Sequence, residues 1–293
     1  MPIDYAKLKS MKIEPLRQSY TRRDTMLYAL GLGVGANGPL AASELKYVYE
    51  KSLVALPMQA VILAAGPMLL SQPEFGINYG MLLHAEQSLL LHKPLPVRGT
   101  VISEISIDEI YDKGAAKGAI LYMTRKLFDA NSGDQLVTLG TVTFLRGDGG
   151  FGGKSEGAPK PRAVPAERAA DLRVTLPSTL NQALIYRLSG DYNPLHIDPE
   201  VAGLAGFDRP ILHGLCHYGM AGRALIKALC GDDPAHLLRL DTRFTSPVYP
   251  GEPLQLEIWN IGPGDASFRV VASDRHAVVQ DFGRFEFHTL TRH

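Results

Sequence analysis

The stretch YRLSGDYNPLH at residues 186–196 predicts a tight turn that presents two ionisable side chains. Glycine, aspartate, asparagine and proline are residue types that tight loops require, and Pro194 stiffens the backbone between Asp191 and His196. A carboxylate and an imidazole so placed can point into one cleft and share the proton transfers of an acid–base reaction. On composition alone, a capped surface turn accounts for the same letters equally well.

A second informative stretch, RPILHG at residues 209–214, precedes a helical pattern from Leu215 to Leu229. A helix N-terminus has free N–H groups and the positive end of the helix dipole. Gly214 has no side chain to keep a ligand away from its N–H. A carbonyl oxygen bound there would be polarised, and its charge stabilised in an enolate-like transition state. The two stretches together predict chemistry next to a thioester carbonyl.

The 293-residue chain divides at a segment rich in glycine and proline, RGDGGFGGKSEGAPKPRAVPA at residues 146–166. Such a segment loses much entropy on ordering and cannot hold a regular ladder of hydrogen bonds, so it predicts a linker. We therefore expect an N-terminal domain at 1–146, the linker at 147–166 and a C-terminal domain at 167–293.

The two halves resemble each other in the order of short matches. YALGLG at 28–33 is similar to YRLSGD at 186–191, and KPLPVRG at 93–99 is similar to SPVYPG at 246–251. This shared order favours a duplicated domain. Helical patterns followed by alternating strand patterns predict an α+β fold with an antiparallel sheet. The expected helices cover 21–32, 178–188 and 215–229, and the clearest strands 100–105, 119–127, 135–145, 254–258, 268–272 and 277–288.

Composition and the chain ends indicate which partners and which cell compartment to expect. The 30 basic and 30 acidic residues balance, so neither nucleic acid nor a membrane surface is the expected partner. Cys216 and Cys230 do not form a paired-cysteine motif, so no disulfide framework is predicted. The start lacks a secretory pattern and the end, Thr-Arg-His, is not a peroxisomal address, so the cytoplasm is the expected location.

The stretch at 186–196 resembles the signature of the hydratase 2 family, also called MaoC-like hydratases, with every element of Tyr-x-Leu-Ser-Gly-Asp-x-Asn-Pro-Leu-His in place. The sequence GFDRPILHGL at 206–215 continues the match. The first half resembles the non-catalytic half of double-length members of this family in YTRRD at 20–24, YALG at 28–31 and LHAEQ at 83–87. The resemblance covers nearly the whole chain.

This resemblance implies a double hot-dog fold, in which each half has a long helix wrapped by a curved antiparallel sheet. It also implies that Asp191 and His196 are the catalytic pair, that Asn193 supports them and that Gly214 supplies the oxyanion N–H. The implied reaction is reversible hydration of a trans-2-enoyl-CoA to the (3R)-3-hydroxyacyl-CoA. No metal or redox cofactor is implied, and the expected assembly is a homodimer.

The first half lacks the acid–base pair, because Gly33 aligns with Asp191 and no histidine follows at the matching distance. Two interpretations stand side by side. The first half widens the cleft for a long acyl chain, or it only completes an interface between the two halves.

Several other side chains are candidates for substrate binding. Arg209 and His213 precede the helix and are expected near the substrate, and Arg209, Arg223 and Lys227 could contact the phosphates of CoA. Solvated helix charges are the more frequent explanation for such cations. His213 and His217, on one helix face, could suggest a metal, but packing or a role in the oxyanion loop is favoured, and no metal site is predicted.

Three other functions fit parts of the pattern. A dehydratase acting on acyl carrier protein substrates would use the same fold and pair. A hot-dog thioesterase would place a carboxylate on or near the long helix, whereas here the acid lies in the loop. A non-catalytic acyl-CoA binding protein has no need for both Asp191 and His196.

Overall fold

The computed structural model describes residues 3–36, 41–66 and 69–289. Ten strands form the framework: β1 (Leu16–Tyr20), β2 (Leu82–Leu91), β3 (Gly99–Asp112), β4 (Ala119–Asp129), β5 (Gln135–Leu145), β6 (Leu172–Leu176), β7 (Leu237–Phe244), β8 (Leu254–Gly262), β9 (Asp265–Ala272) and β10 (Ala277–Phe287). The helices are α1 (Tyr5–Ser10), α2 (Arg22–Gly31), α3 (Ala42–Leu45), α4 (Gln182–Tyr186), α5 (Pro199–Leu204) and α6 (Gly214–Leu229). Among these helices, none is long and apolar enough to cross a membrane.

All ten strands join one antiparallel sheet whose order repeats between the two halves. From the edge inward, the first half runs β1-β3-β4-β5-β2, and the second half runs β6-β8-β9-β10-β7. Each half therefore uses its first strand at the edge and its second strand at the centre. The predicted strands lie in β3, β4, β5, β8, β9 and β10, which confirms the α+β class and the antiparallel sheet.

The halves meet where β2 pairs with β7 at the centre of the sheet. Five residue pairs form this seam, from Glu86 opposite Arg243 to Leu90 opposite Arg239. Arg243 Nε donates to Glu86 Oε1 at 2.8 Å across it. Because the backbone ladder continues through the seam, the two halves share one sheet.

Helix α6 confirms the long helix that the sequence predicts between 215 and 229, and it lies in the main hydrophobic core. Two of its glycines allow close packing. A Cβ at Gly219 would lie 2.7 Å from Leu32 and 2.8 Å from the hydroxyl of Tyr28, and one at Gly222 would lie 2.8 Å from Leu240. Helix α6 therefore contacts both the sheet and the start of the first half.

The expected long helix of the first half is not found in its described residues. In its place are short 3-10 helices at Glu50–Ser52, Pro57–Val61 and Leu69–Ser71. Pro57 can begin a helix but has no N–H, and Gly66 adopts a left-handed conformation with φ of 63°, which ends helical geometry. The double hot-dog arrangement thus has one long helix within the described part of the chain.

The segment between β5 and β6 forms turns and irregular chain without a helix or strand. It is held at both ends. The carboxylate of Asp112 accepts hydrogen bonds from the N–H groups of Gly150 and Gly152, both at 2.7 Å. Arg162 forms a two-pronged ion pair with Asp265, at 2.7 and 2.9 Å.

Candidate active site

The loop at 186–196 connects α4 to α5 through two short 3-10 helices, Arg187–Ser189 and Pro194–His196. Gly190 ends the first with a φ of 129°, which an L side chain rarely adopts. Asn193 caps the second, because its side-chain oxygen accepts from Leu195 N at 3.1 Å. The N–H of Asn193 also donates to Asp191 Oδ1 at 3.2 Å, which orients the carboxylate.

His196 is nearly buried, at 9% exposure, and has a defined tautomer. Its Nδ1 lies 2.9 Å from the carbonyl oxygen of Ile211. A carbonyl oxygen only accepts, so Nδ1 carries the proton and Nε2 keeps its lone pair. Burial lowers the pKa of His196 below its ordinary value. The ring is therefore a neutral base at pH 7 with one nitrogen free to take a proton.

His213 lies directly against the expected catalytic pair. Its Nε2 donates to the backbone oxygen of Asp191 at 3.1 Å, and its ring stacks on that of His196 with centroids 3.7 Å apart. Burial, reinforced by His196, lowers the pKa of His213 to about 3. One carboxylate oxygen of Asp191 and one ring nitrogen each of His196 and His213 lie within 4.8 Å of one another. The sequence predicts that His213 lies near the substrate, and in the structure it contacts Asp191 and His196.

A carboxylate with two neutral imidazoles is also a donor set that metals accept. Two features of the cluster weigh towards acid–base use. The rings of His196 and His213 face each other with 27° between their planes, whereas the lone pairs that bind a metal lie in the ring planes. His196 Nδ1 is already engaged by the carbonyl of Ile211.

Gly214 is the first residue of α6, as the sequence predicts, and follows His213 in extended conformation. Within the described residues, no protein group accepts a hydrogen bond from the N–H of Gly214, which is usual for the first turn of a helix. A Cβ added there would contact the ring of Phe244 at an ordinary 3.6 Å. His213 thus connects the two parts of the site, because it precedes Gly214 in the chain and its ring bonds the backbone of Asp191.

Comparison with known proteins finds family matches in both halves of the chain. A family model described as "MaoC like domain" matches residues 162–280, and one described as "MFE-2 hydratase 2 N-terminal domain" matches residues 18–147. "Probable enoyl-CoA hydratase 2" of Dictyostelium discoideum is 41% identical, covering 92% of this chain and 91% of its own. This chain belongs to the MaoC-like hydratase 2 family.

Two further members support that assignment. "Enoyl-CoA hydratase 2, peroxisomal" of Arabidopsis thaliana is 39% identical, covering 86% of this chain and 85% of its own. The crystal structure of a MaoC-like dehydratase from Phytophthora capsici superposes with a TM-score of 0.86 at 34% identity, covering 98% of this chain and 99% of the other. The double hot-dog fold expected from the sequence is confirmed.

The first-half counterpart of the hydratase 2 loop serves packing. Tyr28 and Tyr186, which align between the halves, lie with ring centroids 5.9 Å apart. Gly31 approaches Tyr186 so closely that a Cβ would lie 3.1 Å from its Cα, and Gln182 donates to the carbonyl of Gly31. Gly33, the counterpart of Asp191, has a φ of 81° and no side chain. The first-half loop therefore supports the second-half loop from behind.

A cavity of about 220 Å³ lies in the first half beside the start of α6. Its apolar lining includes Val61, Leu69, Leu70, Leu82, Ile105 and Leu215, and its polar lining comprises Tyr79, His84, Gln87, Arg125, Thr141 and Thr143. Leu215 directly follows Gly214. Burial and then the negative charge of Asp191 raise the pKa of Tyr79. The cavity therefore opens next to the candidate active site, and sequence reasoning assigned no binding role to its polar residues.

The three cations considered for CoA phosphates lie in different settings. Arg209 is exposed and its guanidinium lies 4.6 Å from the ring centre of Tyr249. Arg275 lies over the same ring at 5.3 Å. Arg223 is engaged with Glu44 at 3.1 Å on a partly buried stretch of α6, and Lys227 is exposed. Arg209 is the one of the three on the loop that leads to Gly214.

Proposed function

We propose that this protein catalyses the reversible hydration of trans-2-enoyl-CoA to (3R)-3-hydroxyacyl-CoA. The observation that carries the proposal is the placement of the Asp191 carboxylate beside a neutral His196 whose Nε2 lone pair is free. Relatives that match nearly the whole chain are named enoyl-CoA hydratases. Acid–base chemistry on a conjugated thioester needs these groups and an oxyanion site.

In the proposed mechanism, Asp191 and His196 hold one water over C3 of the enoyl thioester. His196 Nε2 accepts a proton from this water as its oxygen bonds to C3. The electrons of the double bond move towards the thioester, and C2 then takes a proton from the catalytic pair. One water is thereby added in full, and the pair returns to its starting state. Asn193 keeps Asp191 oriented through its N–H.

Gly214 is proposed to stabilise the enolate that forms during this addition. Its N–H is free of protein acceptors among the described residues and lies at the positive end of the 16-residue helix α6. A hydrogen bond and the helix dipole act together on the thioester oxygen in a site shielded from water. His213 fixes the distance between this N–H and Asp191, since it precedes Gly214 and bonds the Asp191 backbone.

The remaining parts of the substrate are assigned to two regions. We assign residues 1–146 and 167–293 to two hot-dog domains joined by 147–166, and propose that the first-half cavity receives the acyl chain. Its mostly apolar lining next to Leu215 supports this. Arg209, whose guanidinium lies over the ring of Tyr249, is proposed to bind CoA phosphates.

We propose a homodimer in the cytoplasm as the working form. The segment around the catalytic loop exposes Leu180, Leu184, Leu188, Tyr192 and Leu204, each by 50–86%. Exposed apolar side chains of this number are typical of a protein interface. Light scattering after gel filtration tests the dimer, and fractionation of cells tests the location. The Arabidopsis relative is named as peroxisomal, so peroxisomal fractions belong in that experiment.

A dehydratase acting on acyl carrier protein substrates is the second candidate, because the same groups run the reaction in reverse and the Phytophthora structure is named a dehydratase. A thioesterase is disfavoured, since the sequence of α6, GLCHYGMAGRALIKAL, contains no carboxylate. An assay with the same acyl group on CoA and on acyl carrier protein distinguishes these two candidates.

The decisive experiment mixes the purified protein with trans-2-decenoyl-CoA and follows loss of the enoyl-thioester absorbance. The product is then offered to (3R)- and (3S)-specific dehydrogenases. The proposal expects rapid loss and oxidation by the (3R)-specific enzyme alone. Release of free thiol would instead establish a thioesterase, and a (3S) product would contradict the proposed stereochemistry.

A further inference from the structure

The first-half cavity contains a cation that the hydration reaction does not use. Arg125, on β4, donates from its two terminal nitrogens to the backbone oxygens of Leu63 and Val61, both at 2.6 Å. Among the described residues, no carboxylate lies within 4.0 Å of it and no acceptor contacts its Nε–H. A positive charge thus lines the cavity without a negative partner.

Such a charge is costly to maintain. Burial lowers the pKa of Arg125 to about 10, and no protein anion offsets it. Backbone oxygens solvate the guanidinium only in part, and an isolated charge in a low-dielectric site favours an incoming counter-ion. Arg is also the side chain whose planar N–H groups best match a carboxylate.

The surroundings of Arg125 fit an anionic group at the far end of a chain. Thr141 and Thr143 line the same cavity, as does Gln87, which lies opposite Thr141 in the β2–β5 ladder. The apolar lining includes Leu215, which directly follows Gly214. An acyl chain bound by its thioester at Gly214 would enter, beside Leu215, the cavity that Arg125 also lines.

From these contacts we infer that the substrates of this enzyme include trans-2-enoyl-CoA esters with a carboxylate at the far end of the acyl chain, and that Arg125 binds that carboxylate. The inference rests on the proposed hydratase function and adds a substrate class to it. Arg125 is then a specificity residue in the half of the molecule that has no catalytic pair.

A purely structural role for Arg125 gives a different expectation. Its hydrogen bonds to Val61 and Leu63 cap the 3-10 helix at Pro57–Val61. If capping were its only role, replacing Arg125 would impair turnover of charged and uncharged substrates equally. The ratio between two such substrates therefore separates the two roles.

The test compares trans-2-decenoyl-CoA with trans-2-decenedioyl-CoA, which differ only in the terminal carboxylate. For Arg125→Met we expect kcat/KM for the carboxylated substrate to fall by about 100-fold, mainly through KM, because its carboxylate loses a partly buried partner. The uncharged substrate should change by less than about threefold on the same basis, since it makes no such pair. Arg125→Lys should restore part of the preference. Lys126→Met, at an exposed position on the other face of β4, is the matched control and should change neither substrate.

A binding measurement keeps this inference separate from the hydratase proposal. Calorimetry with decanedioyl-CoA and decanoyl-CoA requires no turnover. We expect the carboxylated ligand to bind more tightly to the native protein and to lose this advantage in Arg125→Met. Equal affinities in the native protein, or equal losses in the variant, would overturn the role of Arg125. Failure to hydrate trans-2-decenoyl-CoA would count against the hydratase proposal alone.

Discussion

The two halves of the molecule have the same strand order but differ in the residues that begin their central segments. In the second half, a loop with Asp191 and His196 faces α6, which begins at Gly214 with a free N–H. In the first half, the corresponding loop has Gly33, and the central segment begins at Pro57, which has no N–H to offer. The fold was therefore kept twice, whereas the groups suited to catalysis were kept once.

The difference shows that a hot-dog half can lose its chemistry without losing its structural use. Tyr28 still packs on Tyr186, and Leu32 still packs on α6 at Gly219. The first half also contains the cavity with Arg125. We therefore expect changes in the second half to affect turnover, and changes in the first half to affect the choice of substrate.

The largest effect is expected from Asp191→Asn, which removes one of the two acid–base groups that distinguish the second-half loop from its first-half counterpart. Loss of one member of an acid–base pair should lower kcat by about 10³-fold or more, while the fold is retained because Asn can still accept from Asn193 N–H. The absorbance assay with trans-2-decenoyl-CoA measures this.

Asp198→Asn is the matched control, because Asp198 only caps α5 and Asn caps equally well. Near-normal turnover in Asp191→Asn would mean that catalytic groups lie elsewhere, and the contrast between the halves would then have no chemical basis.

The next largest effect is expected from Gly214→Pro, which makes α6 begin as the first-half segment does. Proline is well tolerated at the first helical position, and His213, with φ of −55° and ψ of 132°, already has the conformation that precedes proline. Removing this N–H should lower kcat by about 10²- to 10³-fold. Gly214→Ala keeps the N–H and should retain most activity; equal losses in both variants would point to steric effects instead.

Two buried histidines of the second half should make the protein sensitive to acid. His213 and His217 are 1% and 2% exposed, and burial lowers the pKa of each to about 3. Because the unfolded chain binds more protons below about pH 6.5, stability is full above that pH and falls as the pH drops. Between pH 7.5 and 5.5 we expect the two to lower the free energy of unfolding by about 3 kcal/mol together.

Urea unfolding at the two pH values measures this loss. His217→Gln removes one titrating group, so the pH-dependent loss should shrink by about 1.4 kcal/mol. An unchanged pH dependence in that variant would show that the imidazole of His217 is charged in the folded protein.

The smallest effect is expected at the linker. Arg162→Gln removes the two-pronged ion pair with Asp265, in which both side chains are 30% exposed. We expect a loss of about 1 kcal/mol in the free energy of unfolding, at the upper end for a partly exposed pair. Arg168→Gln breaks the more exposed pair with Asp171 and should cost less. The reverse order would show that the lower exposure of the Arg162–Asp265 pair does not increase its contribution to stability.

The parts of the site that follow from local sequence could be predicted. Gly190 turns the chain with a positive φ, Asn193 caps its own short helix, and α6 begins at Gly214, all from nearby residues. Local backbone preferences decide each of these features, and such preferences depend on only a few adjacent residues.

The parts that depend on distant contacts could not be predicted. His213 bonds the backbone of Asp191, 22 residues earlier, and no local pattern indicates that its ring would stack on His196. Arg125 caps a turn about 60 residues before it. The missing long helix of the first half is an intermediate case, since Pro57 and Gly66 were noticeable in an otherwise apolar stretch but tertiary packing decided the outcome.

The β2–β7 seam has a consequence for how such a molecule can arise. If either half existed alone, its central strand would become a long open edge, ready to pair with another chain. Two identical halves would then satisfy each other as a symmetric pair, and every mutation would appear in both. When the two halves are joined in one chain, each molecule contains two copies whose sequences can change independently. One copy can then diverge in what it recognises while the other continues to react.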